Sequence, residues 1–352
     1  MQEAIVKSRI IFPDKKFGTG AIADPKDDRD FIYDDIAMGA PSVDWEKGYD
    51  VEKDLKITVP IKNQDGSSSC VGQAWAYYIA IMNALEVGKH IEVSAKAFYS
   101  QFHLPGGGAY LRDGGKLAVN WGALTETSVP SYMPGDKAPT ESFITDKSWL
   151  TPKASEEAET LQAKEYRTIQ AKSNMEMFAV AIRDNKGVVG GVYGSNNNTW
   201  GTYEPKPPKA GEDLWGHALY FGKYGIDNRG KYIATPNSWG RRGGNMTNYQ
   251  DGWQKLREDY FTTGNMFNPW TVIDKPNFST SKETMKIVDK NEKKIVIEAE
   301  GAGRKGVIVG GKLRELTKTR DAVGCLYVLA NNDLGTFVSS KVFEEMPKGD
   351  NF

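Results

Sequence analysis

The chain has 352 residues, with 45 Lys and Arg against 46 Asp and Glu, a net charge of −1 and a 39% hydrophobic fraction. That balance removes the electrostatic argument for a nucleic-acid partner or an anionic membrane surface, and no apolar run reaches the roughly 18–20 residues of a membrane helix. Two cysteines in this length rule out a disulfide framework, and the N-terminal MQEAIVKSRIIFPDKK lacks the sustained apolar core and cleavage site of a secretory signal.

Residues 1–40 are charged and rich in turn formers (FGTGAIADPKDDRDFIYDD), which predicts an extended arm whose Phe31, Ile32 and Tyr33 dock on a larger body. Residues 41–60 predict loop with a short strand. From Cys70 to Gly88, Trp75, Tyr78, Ile79, Met82 and Leu85 recur at three- and four-residue steps and Gly88 suits a cap, so a helix is expected. FHLPGGGAYLRDGGK (102–116) reads as a glycine-rich loop, and EEAETLQAKEYRTI and 173–187 as helical or mixed segments. After Gly187 the grammar changes. GVVGGVYG, HALYFGKYGID, KYIATPNSWG and DGWQKLRED are short β-like runs punctuated by Gly, Asn and Asp. A helix-leaning first half and a strand-leaning second half predict an α+β domain of two lobes with a cleft, over residues 41–275. Residues 276–352 open with a linker and predict a small C-terminal α/β module, rich in hairpins and with one helix.

Cys70 stands where a polar loop, IKNQDGSSS, meets the apolar helix. It is a small buried hydrophobe, half of a disulfide, or a nucleophile; a bridge to Cys325 would close a very long loop that nothing else in the sequence supports. A nucleophilic cysteine needs its thiolate, which a helix N-terminus favours. It also needs a base. Of His90, His103 and His217, only His217 sits where a loop feeds a strand, with Asn237 after the next strand to hold the imidazole by its amide. Gln64 and the backbone N–H of Cys70 are candidate donors for the oxyanion. Each of these residues taken singly has an ordinary structural role. His90 and His103 lack metal-ligand spacing, Pro105–Gly108 is loop rather than a phosphate cradle, and Cys325 reads as core. Asp24, Asp27, Asp28, Asp30, Asp34 and Asp35 lack calcium-loop spacing and read as a solvated face. No metal or other cofactor is expected.

Taken together and in order, the motifs resemble the papain-like cysteine peptidases over about residues 41–273. The resemblance is carried by PSVDWEKG, VPIKNQDGSSSC with its Gln six before the Cys, VSAKAFY, RDGGK, GALTETSVPSY, GHALYFGKYG, NSWG and GGNMTNYQDGWQKL. It implies a two-lobe fold, with a helical lobe around the nucleophile helix and a β-barrel-like lobe carrying His and Asn. It implies Cys70 as nucleophile, His217 as general base and acid, Asn237 as its orienting partner, Trp239 as the shield of that pair and Gln64 in the oxyanion hole. Gly114 and Gly115 are implied to run beside the substrate backbone, and Ala218 to line the pocket for the side chain two before the scissile bond.

Three departures stand out. Val71 and Gly72 follow the nucleophile where the family has an aromatic and a small residue, Ser67 replaces a disulfide cysteine, and Asp65 follows the Gln where Gly is usual. They fit a reducing or non-secretory version. Residues 1–40 are too short and polar for a long helical inhibitory propeptide, and DPKDDRDFIYDD resembles a segment that precedes the domain in some bacterial and phage relatives. The expected function is a cysteine endopeptidase acting on peptides or proteins. The alternative is a catalytically weak or inactive structural or assembly protein, for example a phage virion component, contacting virion proteins through residues 1–40 and 276–352. Either reading places the chain in the cytoplasm or the virion. A papain-related cell-wall amidase fits less well, since such enzymes generally lack the Gln-x5-Cys and NSWG blocks.

Overall fold

The structure, a computed structural model, describes residues 19–37 (Ile36 by backbone alone), 42–64, 66–135, 137–240 and 253–273, together with backbone strands at 295–299, 305–309, 312–315 and 335–338. The chain divides into two compact units, Met1–Pro276 and Asn277–Phe352. In the first unit the described helices are α1 (Asp34–Ala37), α2 (Val51–Leu55), α3 (Cys70–Val87), α4 (Ala95–Phe102), α5 (Leu111–Asn120), α6 (Glu141–Thr145), α7 (Pro152–Ala158), α8 (Met175–Asn185) and α9 (Glu258–Thr262). The described strands are β1 (Ala21–Ile22), β2 (Tyr49–Asp50), β3 (Ala109–Tyr110), β4 (Glu165–Thr168), β5 (Val188–Ser195), β6 (Leu214–Phe221), β7 (Lys223–Asp227), β8 (Gly230–Thr235), β9 (Gln254–Arg257) and β10 (Met266–Ile273).

The expected helix from Cys70 is α3, and Gly88 caps it at φ 67° with its N–H on the Ala84 carbonyl. It is buried on every side from Cys70 to Ala84, while Leu85, assigned to the apolar stripe, is exposed. The helix is the axis of the helical lobe rather than an amphipathic surface element. Small residues let its neighbours close in: a Cβ at Gly72 would come within 2.7 Å of Tyr99 Cβ, so α4 packs directly on this turn. Its large rings satisfy their polar ends, Trp75 donating to the Leu111 carbonyl and Tyr78 to the Asn185 carbonyl, each at 2.8 Å.

The second lobe holds two four-stranded sheets, in the orders β4-β10-β5-β6 and β2-β7-β8-β9. Among the described residues they do not close into a barrel. β5 and β6 pair antiparallel without a break from Val188↔Phe221 to Ser195↔Leu214. The glycines of VVGGVYGS make room for rings: a Cβ at Gly191 would meet Phe267 at 2.2 Å, and one at Gly194 would meet Trp215 at 2.2 Å.

Two local expectations are corrected. Residues 41–60 contain a helix as well as a strand, because the Asp50 carboxylate caps α2 by accepting the Glu52 N–H. Residues 102–116 are not one loop. Positive φ at Gly106, Gly107 and Gly108 confines the loop to the segment before β3, and α5 begins at Leu111. The second unit, by itself, is a sheet in the order β13-β12-β11-β14, with β11 (Ile295–Ala299), β12 (Lys305–Val309), β13 (Lys312–Glu315) and β14 (Gly335–Val338). β11–β12 and β12–β13 are antiparallel, and β14 lies parallel to β11. The helix expected there, Cys325 in it, the 276–293 linker, Asp65 and the glycine-rich passage at 243–252 lie outside the described residues.

Candidate active site

Cys70 is the first residue of α3 and is fully buried. The loop before it is pinned to the segment after β8: Gln64 N–H donates to the Ser238 carbonyl at 2.8 Å, Gly240 N–H donates to the Lys62 carbonyl at 2.9 Å, and Asn63 bridges Trp239. The Gln64 side chain accepts the Ser238 hydroxyl and donates to the Ser67 carbonyl at 3.3 Å. Two stretches far apart in the sequence, KNQ and NSWG, therefore form one structural piece with the loop before Cys70.

His217 lies on β6 opposite Val192. Its Nε2 is 2.8 Å from Asn237 Oδ1, so Nε2 carries the proton and Asn237 accepts it. The Asn237 amide is held in turn by donating to Gln254 Oε1 at 2.6 Å. Trp239 stacks on the imidazole at 4.6 Å and 21°, and Trp200 and Trp215 present edges to it at 6.0 and 6.4 Å. His217 Nδ1 is left buried with no hydrogen-bond partner among the described residues. The imidazole is fixed through Nε2, with Nδ1 unprotonated and free of a partner among the described residues.

Cys70 meets this strand from α3: its sulfur lies against the backbone N–H of Ala218, the residue after His217, and against that of Val71. It does not hydrogen-bond to Nδ1. The N–H of Ala21, from the N-terminal arm, also reaches the sulfur. Burial pushes the thiol up to about 12 against the pull of those N–H groups, and burial pushes His217 down to about 4 against the pull of Asn237. At neutral pH the closed pair is a thiol beside a neutral imidazole. One expected result follows: the intact chain shows no Cys70 thiolate absorbance in the ultraviolet from pH 6 to about 9, measured as the difference between wild type and Cys70→Ser. A thiolate signal at pH 7 in the closed chain would contradict this.

The arm packs over this part of the site. Gly20 N–H donates to the Gly216 carbonyl at 3.0 Å, Ala109 N–H donates to the Gly20 carbonyl at 2.9 Å, and Ala21–Ile22 pair parallel with Ala109–Tyr110. The fit leaves no clearance. A Cβ at Gly216 would sit 2.1 Å from the Ala21 carbonyl, and one at Gly108 would sit 2.6 Å from the Gly20 carbonyl. Further along, the arm lies on β4, with Tyr33 N–H on the Thr168 carbonyl and Thr168 N–H on the Phe31 carbonyl. The expected docking through residues 31–33 is carried by backbone and the buried Tyr33, while Phe31 stays exposed. The solvated acidic face is corrected: Asp24, Asp30 and Asp34 hold the arm down, Asp34 by accepting the N–H groups of Gln170 and Ala171. A segment without a long helix covers the site.

Comparison with solved structures places this architecture. Xylellain, a cysteine protease from Xylella fastidiosa, superposes with a TM-score of 0.57 at 20% identity, covering 76% of this chain and 99% of that one. The fold is that of the papain-like cysteine proteases. Procathepsin B S9 from Trypanosoma congolense matches at a TM-score of 0.54 and 14% identity, over 74% and 87% of the two chains. The ragweed pollen cysteine protease Amb a 11, in its proform, matches at 0.50 and 18%, over 68% of each. A scan against protein-family models finds no match, and no curated protein matches the sequence.

Within the papain-like fold, the structure brings Cys70, His217, Asn237, Gln64, Trp239 and Ala218 into one region. Ala218 is buried in the same apolar cluster as Ala21, Ala109 and Phe267. Gly114 and Gly115 are elsewhere, which corrects the reading of RDGGK. They lie inside α5, where a Cβ would meet the Trp75 ring at 2.1 Å and the Tyr166 ring at 2.9 Å respectively, so these glycines admit core rings. The backbone that borders the site on this side is Gly107–Ala109. Sequence reasoning also missed Gln254, Trp200, Trp215 and Gly216; a lone Gln or Trp on a strand carries no signal of its partner. Among the described residues no cluster of three His, Cys, Asp or Glu is placed to hold a metal, and no helix is long and apolar enough to cross a membrane.

Ser67 stands where a disulfide cysteine was expected in secreted relatives, and a hydrogen-bond chain links the loops instead. Glu141 accepts the Ser68 N–H at 2.6 Å and the Tyr99 hydroxyl at 2.7 Å, and that hydroxyl accepts the Gly108 N–H at 2.7 Å. The loop before Cys70 and the glycine loop are thus tied through one carboxylate. Glu141→Ala is expected to cost about 2 kcal/mol or more, read by urea unfolding. A loss within about 0.5 kcal/mol, the range of an ordinary surface substitution, would show that the tie is not structural.

Proposed function

We propose that this chain is a cysteine endopeptidase held latent by its own arm. The observation that carries the reading is the alignment of Cys70, at the start of a buried helix, with the strand bearing an imidazole already fixed by Asn237 and roofed by Trp239. With the arm displaced, water reaches the pair and the desolvation that keeps it neutral is relieved. His217 Nδ1 takes the thiol proton, the Cys70 thiolate attacks a peptide carbonyl, and the backbone N–H of Cys70 with the Gln64 amide receives the negative oxygen. His217 returns the proton to the leaving amine. Water, deprotonated by the same imidazole, then releases the acyl group and regenerates the thiol. The substrates are polypeptides, with Ala218 lining a pocket for one of their side chains. The deciding experiment opens the arm by substitution, treats the chain with an epoxide or iodoacetamide probe and maps the adduct. Labelling at Cys70 together with cleavage of a peptide library supports the reading, and an unreactive Cys70 in an opened, folded chain refutes it.

A second reading is favoured by the closed site itself, since a fully buried thiol pushed up to about 12 has no chemistry to offer. In that reading the protein is a structural or assembly component, such as a virion protein. It resides in the cytoplasm or the particle and makes its contacts through residues 1–40 and 276–352. An opened variant that labels but turns over no peptide would favour it.

A further inference from the structure

We propose that Arg112, Trp270 and Asn268 form a binding site for an acidic, extended peptide beside the nucleophile, filled in this chain by the arm. The Asp24 carboxylate accepts the Arg112 backbone N–H at 3.0 Å and the Trp270 indole N–H at 2.9 Å, while the Asp24 N–H donates to Asn268 Oδ1 at 2.9 Å. The Arg112 guanidinium donates to the Pro25 carbonyl at 2.7 Å and to Asp30 at 2.5 Å, and lies 5.6 Å from the Trp270 ring centre. Asn268 has a φ of 41° where the register of β10 against β5 shifts, between Phe267 and Trp270. That irregularity in the strand carries a side chain which reads peptide backbone.

Two features separate this from ordinary packing. Arg112 is almost wholly buried, yet every hydrogen-bond acceptor of its guanidinium among the described residues belongs to the arm, and its Nε has none. Among the described residues the arm thus supplies both the acceptors of this guanidinium and, in Asp30, its ion-pair partner, so an acidic strand is the ligand its donors match. Burial pushes the Asp24 carboxyl up to about 6, which leaves it ionised at neutral pH. The backbone pairing of Gly20–Ile22 with Ala109–Tyr110 requires the ligand to be extended, and the guanidinium and indole donors require it to be acidic. The inference rests on the peptidase reading only in using Cys70 as its reporter.

The test uses the full chain carrying Asp24→Asn and Asp30→Asn, changes confined to the arm. Iodoacetamide is expected to alkylate Cys70 at least about tenfold faster than in wild type, the effect of losing charge-assisted hydrogen bonds. A synthetic peptide of residues 19–31, added in trans, is expected to restore protection, and the same peptide with Asn at both positions to protect at least about tenfold less. In a full chain with Arg112→Gln the acidic peptide is expected to lose its advantage. Unchanged alkylation in the double variant, or equal protection by the two peptides, overturns the proposal. If the acidic peptide protects selectively but the opened chain cuts no peptide bond, the binding site stands and the peptidase reading falls.

Discussion

Gly20→Val is expected to raise the alkylation rate of Cys70 in the full chain by at least about tenfold. A Cβ at Gly20 would lie 2.4 Å from the Ser68 carbonyl oxygen and 2.8 Å from Ser68 Cβ, and the residue's φ of 156° is one that residues with a side chain rarely adopt. Valine there is opposed by contact and by backbone conformation together. Ser68 cannot retreat, because its N–H is held by Glu141 and its neighbours Ser67 and Ser69 are hydrogen-bonded to each other at 2.8 Å. Overpacking of this kind costs about 1–3 kcal/mol. The arm meets that cost by lifting, since a two-residue strand and a few hydrogen bonds hold this part of it. The body keeps its own contacts, so thermal unfolding of the variant should stay cooperative. Alkylation no faster than in wild type would mean that the arm is not what buries the sulfur.

In that opened background, His217→Ala is expected to lower peptide hydrolysis by about 10⁴-fold or more. The imidazole has no substitute: the described residues packed around it are Trp200, Trp215, Trp239 and Asn237, none of which takes a proton near neutral pH. Gln254→Ala, one step further out, should act on kcat rather than KM, because it removes the Oε1 that fixes the Asn237 amide and touches no substrate group. Steady-state kinetics on one fluorogenic peptide check both. An opened His217→Ala chain retaining a tenth of the activity would show that the base lies elsewhere.

Much of the site was legible in the string. Cys70 at a loop-to-helix junction, Gln64 six residues before it, His217 at a strand start and Asn237 in NSWG are each marked by local chemistry and by spacing along the chain. The α+β character and the order of the lobes followed from where helical spacing gave way to short glycine-punctuated strands. What failed did so for one reason. RDGGK looked like backbone-binding glycine because a bare glycine pair does not say whether it makes room for a peptide or for an indole; Trp75 and Tyr166 decide that, and they come from α3 and β4. The acidic run looked solvated because its partners, Arg112 and Trp270, stand 82 and 246 residues away from the carboxylates they meet.

The sequence by itself therefore marked which groups are candidates for the chemistry, since a cysteine, a histidine and an amide stand in a recognisable order. Only the tertiary structure decided whether they are exposed to a substrate. That depends on the arm packing against the Cys70 sulfur, and on distances that no local pattern encodes: an N–H against a sulfur, a carboxylate against a buried guanidinium. Burial then sets the protonation of both reactive groups, so the same residues read as an active pair in the string and as a silent one in the folded chain.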